Sequence, residues 1–233
     1  MKKRNALSSR TTRRNVPIAC AAALALAFTA SLPLQAHAEP VTPPPVPANI
    51  QVPAGNKAFL VGHAVGTQNY SCLPAGVDPA GHPRFAWTLF TPQATLFAHN
   101  MKEIITHYFS PNPFEPGPNP FADGVVRATW QDSKDTSTVW GKVVPGDSST
   151  DAAFVAPGAI AWLKVTVAGA EDGPTGGHAL TPTTYIQRLN TSGGVAPATG
   201  CASSSDVGNQ AFIPYTADYF FYEKTKGNGD DAN

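Results

Sequence analysis

The chain has 233 residues, with 16 Lys and Arg against 16 Asp and Glu, and three cysteines. The charges are unevenly placed. Lys2, Lys3, Arg4, Arg10, Arg13 and Arg14 precede the first acid, so the 195 residues after Ala38 hold 10 cations against 16 acids, a net −6. An acidic domain without a basic patch has no counterion-release drive toward nucleic acid and no attraction to anionic headgroups, which excludes both as partners.

Taken in chain order, Met1–Val16 is basic, Val16–Leu34 is apolar and Ala-rich, and Ala36-His37-Ala38 has the small-x-small form that signal peptidase reads. This is the pattern of a secretory signal cleaved between Ala38 and Glu39. Sec export is the preferred route; Thr12-Arg13-Arg14-Asn15-Val16 keeps twin-arginine export open. Pro17 and Pro33 interrupt the apolar run, and no transmembrane segment is expected after cleavage. The protein is therefore expected to be secreted or periplasmic. Cys20 would leave with the leader. Cys72 and Cys201 would then form a disulfide in an oxidising compartment, the alternative being two buried thiols.

Glu39–Gly55 contains Pro40, Pro43, Pro44, Pro45, Pro47 and Pro53, the composition of an extended spacer. Residues 56–223 read as a single all-β domain, and Lys224–Asn233 as a disordered tail. Alternation and β-branched or aromatic residues predict strands at Phe59–Val65, Thr67–Cys72, Phe85–Thr91, Val125–Gln131, Thr136–Val144, Ile160–Ala168, Thr184–Asn190 and Tyr215–Tyr222. Thr91–Tyr108 allows one short helix or another hairpin. Asp132-Ser133-Lys134-Asp135 supplies turn chemistry between the arms carrying Trp130 and Trp140. Ser110–Gly124 is a long loop with five prolines. Many strands at short spacing predict an antiparallel β-sandwich or closed barrel, with a β-trefoil-like fold as the alternative.

No nucleotide-binding glycine motif, metalloprotease helix or nucleophile elbow is present; Gly62-His63-Ala64-Val65-Gly66 has the wrong spacing for a dinucleotide loop. The histidines of the domain, His63, His82, His99, His107 and His178, include no His-x-His pair, so neither a metal nor a cofactor is expected. His107, which borders the proline-rich loop, is the one to test. The scattered acids single out no carboxylate pair for glycoside hydrolysis.

Strand alternation yields the candidate binding residues. Gln68 and Tyr70 share a face with Cys72, and Arg188 shares one with Ile186 and Asn190. A half-buried Arg188 needs a partner, for which Asp218 is the candidate. Gln68, Tyr70, Arg188 and Asp218 either line a polar pocket or form an internal network that fixes strand register, and the network is preferred. Trp130 belongs to a set of strand aromatics that reads as core rather than as an exposed carbohydrate platform.

Gly66-Thr67-Gln68-Asn69-Tyr70-Ser71-Cys72, Trp130 with Asp132, Val139-Trp140-Gly141 and Ile160-Ala161-Trp162-Leu163 fall in a recognisable order. Thr184–Pro197, Gly200-Cys201 and Pro214–Tyr222 complete it. In these blocks the chain resembles a secreted domain-of-unknown-function family, number 3455, of bacteria and fungi. The resemblance spans Phe59–Tyr222 and implies no catalytic residues. Some members carry a malate dehydrogenase label, for which this sequence has neither a dinucleotide fingerprint nor α/β alternation. Members tend to pass from a His-Tyr pair to the Trp through a short Gly-Pro segment; here the proline-rich loop separates His107-Tyr108 from Trp130.

The function expected is non-catalytic binding of an extracellular ligand or cell-envelope component. The alternatives are a hydrolase or metal-dependent enzyme assembled from separate strands, and a structural envelope protein.

Overall fold

Alternating small and large inward residues let successive antiparallel strands curl into a closed wall. A computed structural model describes residues 40–117 and 124–225; the signal-peptide expectation and nearly all of the C-terminal tail lie outside them. The strands are β1 (Asn56–Val77), β2 (Pro83–Phe97), β3 (Glu103–Asn112), β4 (Val125–Asp132), β5 (Thr138–Lys142), β6 (Ser148–Ser149), β7 (Trp162–Glu171), β8 (Thr183–Gly193) and β9 (Gln210–Lys224). All pairings are antiparallel, in the order β5-β4-β3-β2-β1-β9-β8-β7-β6. A further β5–β7 pairing, Thr138↔Glu171 to Lys142↔Thr166, joins the two ends. The result is a closed eight-stranded up-and-down barrel, with β6 an appendage on β7. This is the barrel of the two architectures expected, not a sandwich or trefoil. Thr91–Tyr108 takes its hairpin alternative, as β2 and β3. No parallel βαβ unit occurs among the described residues, and no helix there is long and apolar enough to cross a membrane.

The interior is packed at one end. Leu96, Ile105, Val139, Ile186 and Phe221 are fully buried there, and Trp130 caps them. β1 faces this plug with Gly62, Ala64 and Gly66. A Cβ on Gly62 would sit 2.9 Å from Leu96 Cδ2, and one on Gly66 only 2.0 Å from the Gln93 carbonyl. The glycines first considered for a nucleotide loop therefore let β1 and β2 approach closely, and Gly66, expected as a break, lies inside one continuous strand.

A second apolar layer lies outside the barrel. Trp162, Leu189, Phe220 and Tyr222 pack with Val155 and Ile50, flanked by Val41, Val46 and Val52. Those last residues belong to the proline-rich stretch, so the expectation of a spacer is corrected. Asn49 Nδ2 donates to the Gly146 and Ser148 carbonyls, each at 2.8 Å, and Gln187 Nε2 to the Ile50 carbonyl at 2.6 Å. Valine spaced among the prolines on extended backbone, and Ile50 at the end of a short 3-10 turn over Ala48–Ile50, make the segment a strap that rests on the sheet without a ladder.

Cys72 at the end of β1 is bonded to Cys201 in the β8–β9 connection, 129 residues away.

Candidate functional site

At the open end the plug gives way to a cavity of about 410 Å³ lined from β1, β2, β3, β4, β7, β8 and β9 and from the β5–β6, β6–β7 and β8–β9 connections, the last two forming its rim. Its floor is aromatic. The His107 and Trp130 rings stack at 4.4 Å with an 8° interplanar angle, and Tyr219 tilts against both at 5.2 and 5.8 Å. His107 and Trp130 are directly paired across β3 and β4, so the proline-rich loop merely connects the strands and does not part them. None of residues 111–117 lines the cavity. Phe114 instead packs edge-on to Trp140, and Glu115 accepts from Arg127 at 2.8 and 3.0 Å on the outside.

Above the floor the walls are aliphatic, with Leu89, Val143, Leu163, Val165 and Val195 among them. The polar groups are few. Arg188 reaches in from β8 and donates Nε and Nη2 to the Ala161 carbonyl at 3.3 and 2.9 Å. Tyr70 donates its hydroxyl to the Gly194 carbonyl at 2.7 Å. Gly194, at φ +82°, bridges to Ala159 and so ties the two rim loops together; a Cβ there would meet Tyr215, Ile160 and Gln68 within 3.2 Å. Only glycine fits both the backbone and the space.

Burial sets the protonation states. His107 donates Nδ1–H to the Thr129 carbonyl at 2.8 Å. Loss of solvent lowers its pKa to about 3, against the raising effect of that bond, and the nearby Arg188 charge lowers it further. It is a neutral ring, too weak a base for proton abstraction near neutral pH. Burial raises the Tyr215 and Tyr219 hydroxyls, which lie 3.2 Å apart, and Arg188 opposes the shift at both. Gln68 Nε2 and Trp130 Nε1 are buried donors without a hydrogen-bond partner, and both residues line the cavity. No acid lines it. Among the described residues the guanidinium thus has no counter-charge, only the Ala161 carbonyl and the Tyr219 hydroxyl beside it, while two further N–H groups stand unpaired.

Of the six candidate residues, Gln68, Tyr70, His107, Trp130 and Arg188 are brought together here. Asp218 is not. It lies on the outer side of β9, where Oδ1 accepts from His63 Nδ1 at 2.6 Å and Oδ2 from Asn190 Nδ2 at 2.8 Å. The expected Arg188–Asp218 partnership is therefore corrected to Arg188 on a backbone carbonyl. The physical reason is that β9 buries aromatics on both faces. Tyr219 and Phe221 point into the barrel, whereas Phe220 and Tyr222 lie under the strap, so hydropathy does not mark which side is inside. The strand aromatics are otherwise core, as read: Trp130, Trp140 and Trp162 are all buried.

The sequence reading missed Leu89, Phe109, Leu163 and Val195 as cavity walls, and it missed the His63–His99 contact beside Asp218. Period-2 parity carried outward from Cys72 and Trp130 through the strand register would have found the wall residues. Nothing in the sequence links His63 to a partner 155 positions away.

No curated protein and no solved structure matches the chain. The model of the family described as "Protein of unknown function (DUF3455)" matches residues 53–223, which takes in the whole barrel and every residue of this cavity, and the chain belongs to that family.

Proposed function

We propose that the protein is an exported, non-catalytic binding domain whose barrel takes up a small amphipathic organic acid. The uncompensated Arg188 guanidinium in an otherwise apolar cavity carries this reading. Arg188 is half-buried and bonded to a backbone carbonyl rather than to an acid, and an incoming carboxylate would give it a charged partner while its hydrocarbon part covers the aliphatic walls. About 410 Å³ falls within the ordinary range for small-molecule sites, and a few polar groups in an apolar chamber are the usual composition. The unpaired donors of Gln68 and Trp130 supply further contacts for an acceptor. Export, to the periplasm or beyond, is supported by the leader pattern and by the Cys72–Cys201 bond, which persists in oxidising compartments. Among the described residues no nucleophile–base pair lines the cavity, which favours binding over hydrolysis.

The test is titration of the purified protein with octanoate and with octanol, followed by Trp fluorescence. Octanoate is expected to bind at least ~10-fold more tightly, the scale of one charge-assisted hydrogen bond. Arg188→Met should abolish the difference while leaving octanol binding in place. Equal binding of acid and alcohol by the native protein, or an unchanged preference in the variant, overturns the reading.

A further inference from the structure

Asp218 faces away from the cavity into a separate chamber of about 670 Å³ on the outside of the barrel, walled by Phe59, Val61, Phe220 and the strap residues Val41 and Pro44. Directly across the β1–β9 ladder from Asp218 is His63. Its Nδ1–H donates to Asp218 at 2.6 Å, and its Nε2 lies 2.9 Å from Nδ1 of His99, which stands on the β2–β3 turn.

We propose that His63 and His99 are the two protein ligands of a site for a borderline transition-metal dication such as Zn²⁺ or Cu²⁺, with Asp218 as the supporting carboxylate. Three observations carry this. First, a carboxylate on Nδ1 fixes the tautomer and aims the bare Nε2 lone pair outward, the arrangement that metal-binding histidines require. Second, two nitrogens each about 2.05 Å from one ion are about 2.9 Å apart at a right angle and about 3.3 Å at a tetrahedral one, so the 2.9 Å between the rings meets the first and needs only a few tenths of an ångström of widening for the second. The ion would replace the proton now shared between the two rings. Third, the support is itself held. Asn190 donates to Asp218 Oδ2 at 2.8 Å from a left-handed backbone, φ +50°, and the turn bearing His99 is closed by Met101 at φ +62° with Ala98 and Lys102 bonded at 2.9 Å. Such conformations cost non-glycine residues stability and cluster where geometry is functional.

Among the described residues, no group of three or more His, Cys, Asp or Glu side chains is placed to hold an ion. The site therefore uses two imidazoles, and its other positions open on the chamber for water or an exogenous ligand. Imidazole nitrogen selects zinc, copper and nickel over magnesium and calcium.

Untagged protein titrated calorimetrically with Zn²⁺ is the experiment. One ion per chain is expected, with binding weakened more than ~10-fold by His99→Ala and ~10–100-fold by Asp218→Asn, as for other supporting carboxylates. His99 is an exposed turn residue, so an unchanged circular dichroism spectrum keeps that variant interpretable. His82→Ala, which removes the other His–Asp pair, and Arg188→Met should both leave binding unchanged. The proposal is overturned if His99→Ala binds as the native protein does, if the loss follows His82 instead, or if the native protein takes up no stoichiometric ion.

Discussion

His107 owes its chemistry to its position. It is 4% exposed, and its Nδ1 proton is committed to a backbone carbonyl. In the unfolded chain the ring takes a proton below about pH 6.5; in the native barrel it does so only near pH 3. Between those values the unfolded state holds the extra proton. The contribution to stability is thus intact above pH 6.5 and is lost as pH falls toward 3, with a limiting size on the order of 4 kcal/mol. Urea midpoints measured from pH 7 to pH 4 should therefore fall more steeply for the native protein than for His107→Phe. Parallel curves would show that the ring is not held neutral. Glu115 adds to the same acid limb from another cause. Hydrogen bonds from Arg127 and Asn112 lower its pKa to about 2, so its share is present above pH 4.5 and disappears below. Which residues face inward was readable along β1, where Gln68 and Tyr70 follow from Cys72 by parity. That His107 would stack on Trp130 was not, because the pairing depends on a register set across the 12-residue proline-rich connection between Asn112 and Val125.

Among the elements, the strap most changes the account given by composition. Proline content predicts extended backbone, from which only the 3-10 turn at Ala48–Ile50 departs, but it does not say whether the chain is free or seated. The answer lies in Val41, Val46, Ile50 and Val52, whose partners Trp162, Leu189, Phe220 and Tyr222 are distant in sequence. Ile50 is fully buried. Ile50→Ala should cost about 2–5 kcal/mol, as for comparable core truncations, and a thermal unfolding midpoint unchanged within a degree would refute its seating. Gly194→Ala makes a different prediction. It should strain the rim by roughly 1–3 kcal/mol and reduce octanoate affinity without altering Zn²⁺ uptake, since the two sites lie on opposite sides of the wall. The strands themselves were largely legible, because alternation survives wherever one face meets the interior. Their ends were not. β1 runs for 22 residues through Gly66, a residue that sequence reads as a break and the barrel uses for contact.

At the scale of the whole molecule, two ladders between distant segments decide the architecture. Hairpin alternation suits a sandwich and a barrel equally, and only the β5–β7 and β1–β9 pairings distinguish them. Such contacts between separated segments leave no local trace. The disulfide acts at the rim. Cys72 exchanges backbone hydrogen bonds with Asn209 and Gly208, and Trp87 donates to the Thr199 carbonyl, so the loop that carries Val195 into the cavity is tethered at several points. Chain-entropy reasoning assigns a closed loop of 129 residues about 5 kcal/mol. The double variant Cys72→Ser/Cys201→Ser should lose 2–5 kcal/mol in chemical denaturation and exchange the amides of that loop faster, while those of β4 and β5 stay protected relative to global unfolding. Uniform acceleration across the barrel would contradict a rim-specific role.

The β1–β9 ladder also orders events in time. A chain emerging from a ribosome or a translocation pore presents β1 first, yet β1 is hydrogen-bonded to the last strand, and the strap that precedes it rests on residues of β7, β8 and β9. Neither end of the ring has its final partner until residue 224 has emerged. Until then β1 can pair only on its β2 edge and the strap lacks its β9 partners, so vectorial synthesis holds the ring open by connectivity alone, without requiring a separate device to delay folding.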